Sequence, residues 1–131
     1  MSRYCLDTVA YSNFKRGEPR VVELLDSAEW IGVPAIVIGE LCAGFAGGSR
    51  ARQNQSDLDE FLAAGVAEVL PVDKRIGEIF GELVADLRRQ GRPIPVNDIW
   101  IAATCANAGA TLLTFDGHFR SIHRVATMIL D

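Results

Sequence analysis

The chain has 131 residues, 49% of them hydrophobic, with 17 acidic and 13 basic side chains and a net charge of −4. That size suits one domain with a sizeable core, and the apolar content excludes global disorder. No secretory or membrane segment is expected, because Asp7 interrupts the N-terminal stretch and the longest uncharged run, 99–115, contains Asn107 and Gly109 and falls short of the roughly 20 residues a span needs; a soluble, cytoplasmic protein is anticipated.

In chain order, "RYCL" (3–6) reads as a short buried strand, followed at once by Asp7-Thr8 as a helix start. Residues 19–29 suit a helix with Pro19 in its first turn and Val21, Val22, Leu24, Leu25 and Ala28 on its inner side. A second strand ends near Pro34, and a helix runs from about Ala35 until Gly47-Gly48 stop it. Ser56 or Asp57 is expected to cap a helix through about Ala64, with Phe61 and Leu62 inward.

"AEVLPV" (67–72) predicts a third strand, and Asp73 a cap for a long helix over 74–90 carrying Ile76, Ile79, Phe80, Leu83, Val84 and Leu87 at helical spacing. "GRPIPV" breaks it. "NDIWIAATCANAG" is a helix stopped by Gly109, "ATLLTF" a fourth strand and "RVATMIL" a fifth. Strands that alternate with helices and are apolar along their length predict a parallel sheet covered on both faces, an α/β class in three layers.

Ligands of such sheets collect beyond the carboxyl ends of the strands, so the acids there are the ones to inspect. Asp7 follows the first strand, Asp116 follows the fourth, and Asp98 opens the helix that leads into the fourth. Glu40 lies in the helix after the second strand, on a side shared with Ile36, Ala43, Gly44 and Gly47. A carboxylate directed inward among small and apolar residues needs a partner.

Each acid alone has a structural explanation: Asp7 and Asp98 as helix caps, Asp116-Gly117 as a turn pair. Together, four carboxylates at one end of a sheet repel one another unless a cation lies between them. Oxygen donors point to Mg²⁺ or Mn²⁺ rather than zinc. Cys5, Cys42 and Cys105 are far apart without a C-x-x-C spacing, and read as reduced, buried thiols. A hard divalent ion lowers the pKa of a bound water and stabilises charge developing at phosphorus, so the set predicts metal-dependent phosphodiester hydrolysis.

The stretches "YCLDT", "PAIVIGEL", "NDIWIAA" and "LLTFDGHF" resemble, in order and spacing, the PIN-domain family, most closely its VapC-type toxins of bacterial toxin–antitoxin pairs. The resemblance covers the whole chain. It implies a three-layer α/β/α ribonuclease with a central, mainly parallel five-stranded sheet, usually a homodimer. Such enzymes use Mg²⁺, with Mn²⁺ able to substitute, to cut structured RNA such as tRNA or rRNA, leaving a 5′-phosphate and a 3′-hydroxyl.

Carried over, Asp7, Glu40, Asp98 and Asp116 are the acidic quartet, both catalytic and metal-binding, with Thr8 and Thr114 as secondary polar positions. The resemblance also implies a cognate VapB-like antitoxin whose tail blocks the groove. His118 departs from the acid or other polar residue of many relatives and is expected at the pocket rim, against RNA phosphate, rather than in the chemistry.

Setting the four acids aside leaves 13 acids against 13 basic residues, 11 of them arginine, so the rest of the protein is balanced and compatible with RNA. Candidate backbone contacts are Arg88, Arg89 and Arg92, then Arg50 and Arg52, with Arg16 and Arg20 as further candidates. Trp30 and Trp100 are assigned to the core in preference to base stacking. Two rival readings are a receiver-like phosphoacceptor domain and a PIN-like module that binds RNA or a partner without cutting. The first lacks an acidic pair after the first strand and a late lysine, the only lysines being Lys15 and Lys74.

Overall fold

The computed structural model describes residues 2–131. The chain runs β1 (Arg3–Leu6), α1 (Thr8–Lys15), α2 (Pro19–Asp26), β2 (Trp30–Pro34), α3 (Ala35–Ala46), α4 (Ala51–Ala63), β3 (Ala67–Leu70), α5 (Lys74–Gln90), α6 (Val96–Ala108), β4 (Thr111–Thr114), a 3-10 turn (Gly117–Ser121) and β5 (Ala126–Ile129). All four strand pairings are parallel, in the order β3-β2-β1-β4-β5. The receiver-like alternative is thereby overturned, because its five-stranded sheet has the order 2-1-3-4-5.

The order also fixes the layers. Connections from β1 to β2 and from β2 to β3 step one way across the sheet, while β3 to β4 steps back the other way. Right-handed crossovers therefore place α1 to α4 on one face and α5 and α6 on the other. Between them lies a core that includes Leu6, Val33, Leu112 and Leu113 from the inner strands. Phe119 and Ile122 seal its β5 side. All three cysteines are free thiols; Cys5 and Cys105 are buried within the core, as expected, whereas Cys42 is only half-buried on α3, its Sγ donating to Gln55 at 3.4 Å.

Helix ends follow the chemistry of their sequence. Pro19 stands at the start of α2, Asp73 caps α5 by accepting the Ile76 N–H at 3.0 Å, and α5 and α6 both stop at left-handed glycines, Gly91 (φ +65°) and Gly109 (φ +65°). Two expectations need correction. The helix expected from Ser56 or Asp57 begins at Ala51, and neither residue caps it. Asp57 instead accepts from Gln53 at 2.8 Å and Asp59 from Gln55 at 3.1 Å, pairs one turn apart that carry the helix five residues further back. The third strand ends at Leu70, short of residue 72, and lies at the sheet edge with Val69 43% exposed.

The tryptophans behave as packing residues. Trp100 stacks on Phe80 at 3.8 Å between ring centroids, joining α6 to α5. Trp30, half-buried on β2, is covered by the Arg3 guanidinium at 4.2 Å and donates its indole N–H to Glu68 at 3.2 Å. Among the described residues, no helix is long and apolar enough to cross a membrane.

Candidate functional site

The strand order changes direction at β1: β2 lies on one side of it and β4 on the other. Their following connections diverge to opposite faces and leave a crevice beyond the carboxyl ends of β1 and β4. Asp7 is the residue after β1, and Asp116 lies two residues after the end of β4. An open cleft of about 530 Å³ occupies this place, lined by Asp7, Thr8, Glu40, Asp98, Asp116 and Gly117 with Val9, Ile101 and Phe115 as its apolar walls. All four acids singled out from the sequence, distant along the chain, line this one cleft.

Asp7 is at once a helix cap and a cleft residue. Its Oδ1 accepts the Ala10 N–H at 2.8 Å, and its Oδ2 accepts the Thr114 hydroxyl. Thr114 Oγ1 in turn accepts the Asp116 N–H at 3.0 Å, so one buried hydroxyl ties two of the acids together. Asp116 caps the 3-10 turn by accepting the His118 N–H at 2.8 Å. Asp98 is no cap: Pro95 takes that place in α6 and Asp98 sits inside the first turn.

Glu40 is held by two donors. The Thr8 hydroxyl reaches its Oε1 at 2.5 Å, and the Asn97 amide reaches its Oε2 at 3.3 Å. The sequence expectation of an inward face needs correction here. The buried side of α3 is Val37 and Leu41, whereas Ala43, Gly44 and Gly47 are exposed and Glu40 opens into the cleft. Asn97 was missed from the sequence; its only signal was its place beside Asp98 in the first turn of α6.

Crowding marks the electrostatics. Burial pushes the Asp98 carboxyl up to about 6, helped by the nearby charges of Asp116, Glu40 and Asp7 and opposed by His118. Burial also raises Asp7, outweighing the Thr114 hydroxyl and the Ala10 N–H that favour its charged form, while Asp116 and Glu40 push it further up. The cleft is thus rich in oxygen donors whose mutual repulsion a divalent cation would relieve. One ligand atom each from Asp98, Asp116 and His118 lies within 4.8 Å of the other two.

The arginines divide. Arg88 and Arg92 flank an adjacent concavity of about 390 Å³ that includes Ile99 of the Asp98 helix. Arg50 joins Lys15 and Arg16 around a cleft of about 360 Å³ between α1, α3 and α4, with the acidic Asp57 on its wall. The Arg20 guanidinium sits 5.9 Å from the Phe115 ring centroid at the acidic cleft and pairs with Glu18 at 2.8 Å. Arg89 is paired with Asp86 on α5, and Arg52 is an exposed residue of α4; neither lines a cleft described here.

Comparison with known proteins agrees with this architecture. The sequence model of the PIN domain matches residues 4–125. The chain is similar to Ribonuclease VapC4 of Mycobacterium tuberculosis, 31% identical over 102 residues that make up 78% of either protein. It superposes on a chain of VapBC2 from Rickettsia felis, solved bound to a DNA fragment from its promoter, with a TM-score of 0.85 and 29% identity, covering 98% of this chain and 99% of that one. A chain of VapBC-1 from nontypeable Haemophilus influenzae gives a TM-score of 0.83 at 25% identity, with 97% of both chains covered.

Proposed function

This chain belongs to the PIN-domain family and is VapC-like along its length, and on that premise we propose that it is a divalent-cation-dependent endoribonuclease, the toxin of a toxin–antitoxin pair. Its substrate is structured RNA, tRNA or rRNA, and its inhibitor is a cognate VapB-like antitoxin that enters the acidic cleft. It works in the cytoplasm as a homodimer. The observation that carries this reading is the convergence of Asp7, Glu40, Asp98 and Asp116 on one cleft at the switch point of the sheet.

The residues present fit a hard cation. Their donors are carboxylate oxygens, and burial, helped by their crowding, raises Asp98 and Asp7. Mg²⁺ or Mn²⁺ would be held by Asp7, Asp98 and Asp116, with Glu40 completing the charge, and would supply an activated water and charge stabilisation at phosphorus. The chain's own contribution is positional. Thr114 and the Ala10 N–H hold the Asp7 carboxylate, the 3-10 turn holds Asp116, and Thr8 with Asn97 aims Glu40, which orients the attacking water.

Lys15, Arg16 and Arg50 give the RNA backbone a basic site beside the acidic one. The two are linked by α1, which starts at the acidic cleft and ends at the basic one. Its eight residues span roughly 12 Å at 1.5 Å per residue, a length of about two nucleotides at roughly 6 Å each. RNA running from one cleft to the other presents phosphate, not carboxylate, to both.

The deciding experiment is cleavage of purified tRNA and rRNA with Mg²⁺ or Mn²⁺, followed by end-group analysis. Asp7→Asn and Asp98→Asn are each expected to slow cutting at least about a hundredfold, about 2.7 kcal/mol of barrier, with the fold unchanged by circular dichroism. Full cutting by either variant, or full cutting in excess chelator, would overturn the assignment. Tight RNA binding with no cutting by the wild type would favour the non-catalytic module instead.

A further inference from the structure

His118 stands in the turn that begins at Gly117, at the edge of the acidic cleft, within reach of Asp98 and Asp116. Asp116 Oδ1 accepts the His118 backbone N–H at 2.8 Å, and the same turn brings the imidazole Nδ1 to 3.1 Å from that oxygen. The ring, 60% exposed, has Asp116 as its only side-chain partner among the described residues. Asp7 and Glu40 differ: threonine hydroxyls and an asparagine amide already engage them.

We propose that His118 is a direct ligand of the cation held at Asp98 and Asp116, and that its imidazole tilts the site toward Mn²⁺ and away from Mg²⁺. This rests on the cation-dependent reading above. One ring nitrogen of His118 and one oxygen from each of the two aspartates lie within 4.8 Å of one another. Ligands at about 2.1 Å from an octahedral ion are roughly 3 Å apart when adjacent and roughly 4.2 Å apart when opposite. The three atoms are therefore gathered on the scale of a single coordination shell. An exposed imidazole with two free torsions can adjust its ring nitrogen without disturbing the core.

The consequence for metal choice follows from ligand type. Mg²⁺ prefers oxygen, sheds water reluctantly and demands near-ideal octahedral geometry. Imidazole suits first-row transition metals, and although Mn²⁺ is the weakest binder of that row and shares the oxygen ligands of Mg²⁺, it takes a nitrogen donor more readily than the harder Mg²⁺ does. A site of oxygens alone serves either ion; adding one imidazole favours Mn²⁺. The histidine therefore moves from the pocket rim, where the sequence placed it, into the coordination shell.

The test uses the full chain with Mn²⁺ as probe. Pulsed electron paramagnetic resonance on protein carrying ¹⁵N-labelled histidine is expected to show nitrogen coupling to the bound Mn²⁺, and His118→Ala to abolish it, which assigns the signal between His118 and His123. By calorimetry, His118→Ala is expected to weaken Mn²⁺ about tenfold and Mg²⁺ less than about twofold. Mn²⁺ bound through Asp98 but without nitrogen coupling, and with unchanged affinity in His118→Ala, would overturn the inference and leave the cation-dependent reading standing. No Mn²⁺ or Mg²⁺ binding, or binding indifferent to Asp98→Asn, would overturn both.

Discussion

Asp98 and Thr114 show how single side chains set the properties of the cleft. Asp98 titrates near 6 in the folded protein because it is partly buried beside three other acids, whereas in the unfolded chain it titrates near the ordinary carboxylate value, about 3.9. Between those values the folded state holds the extra proton, so stability falls as pH rises through this window and the deficit persists above it. Asp98→Asn removes the repelling charge and no side-chain hydrogen bond recorded among the described residues. After discounting for its solvent exposure, the expected gain for metal-free protein at pH 8 is about 1 kcal/mol, or roughly 3–5 °C in melting temperature. At pH 4 the gain should vanish, and thermal melts at the two pH values check it.

Thr114→Val makes the opposite kind of change. It strips the buried Asp7 carboxylate of a donor and the Asp116 N–H of its acceptor. An expected loss of about 1–3 kcal/mol follows, read by urea unfolding at pH 7. Asp7 should then titrate higher still, because the hydroxyl that favours its charged form is gone.

At the scale of the element, the cleft depends on where β4 starts and ends. α6 closes at Gly109 with φ +65°, where the N–H of Ala110 bonds back to Cys105 at 3.4 Å and turns the chain into the strand. β4 then pairs Leu113 with Leu6, which sets Thr114 and Asp7 side by side. A Cβ at Gly109 meets no neighbouring atom within 4 Å, so the cost of Gly109→Ala is the left-handed backbone itself, about 1 kcal/mol. The expected outcome is a melting temperature lowered by roughly 3–5 °C, with RNA cleavage retained because the register of β4 is unchanged. The helix that starts at Ala51, earlier than its apolar pattern indicates, has an analogous lesson. Its first turns carry arginine and glutamine, which offer no apolar period, and are held by side-chain pairs one turn apart.

Across the whole molecule, a net charge of −4 coexists with separate acidic and basic clefts at the two ends of α1. If RNA backbone occupies the basic one, log Kd should vary with log salt, with a contribution of about 0.7 per phosphate contacted. Replacing Lys15, Arg16 and Arg50 together by alanine is expected to lower that slope by about 2, measured by filter binding in metal-free buffer. Metal affinity should be untouched, since none of the three lines the acidic cleft. An unchanged slope would place the RNA elsewhere, with Arg88 and Arg92 the next residues to test.

The alternation of apolar strands with helices, the caps and glycine stops, and the four acids were all readable from the chain, because each is a local consequence of side-chain chemistry. Asp7 is the clearest case: an acid directly after a buried strand sits where a parallel sheet binds ligands. Other features arose only when distant segments met. Glu40 looks inward by its neighbours in sequence yet faces the cleft, because the core claims the other side of α3. Asn97, Thr8 and Thr114 acquire their partners across 57, 32 and 107 residues of chain. His118 is two residues from Asp116 in sequence, but its nearness to Asp98 comes from α6 and the turn after β4 being brought to one end of the sheet. Local chemistry determined which residues were candidates; the order of the strands, set by burial of the whole core, decided which of them meet in one cleft.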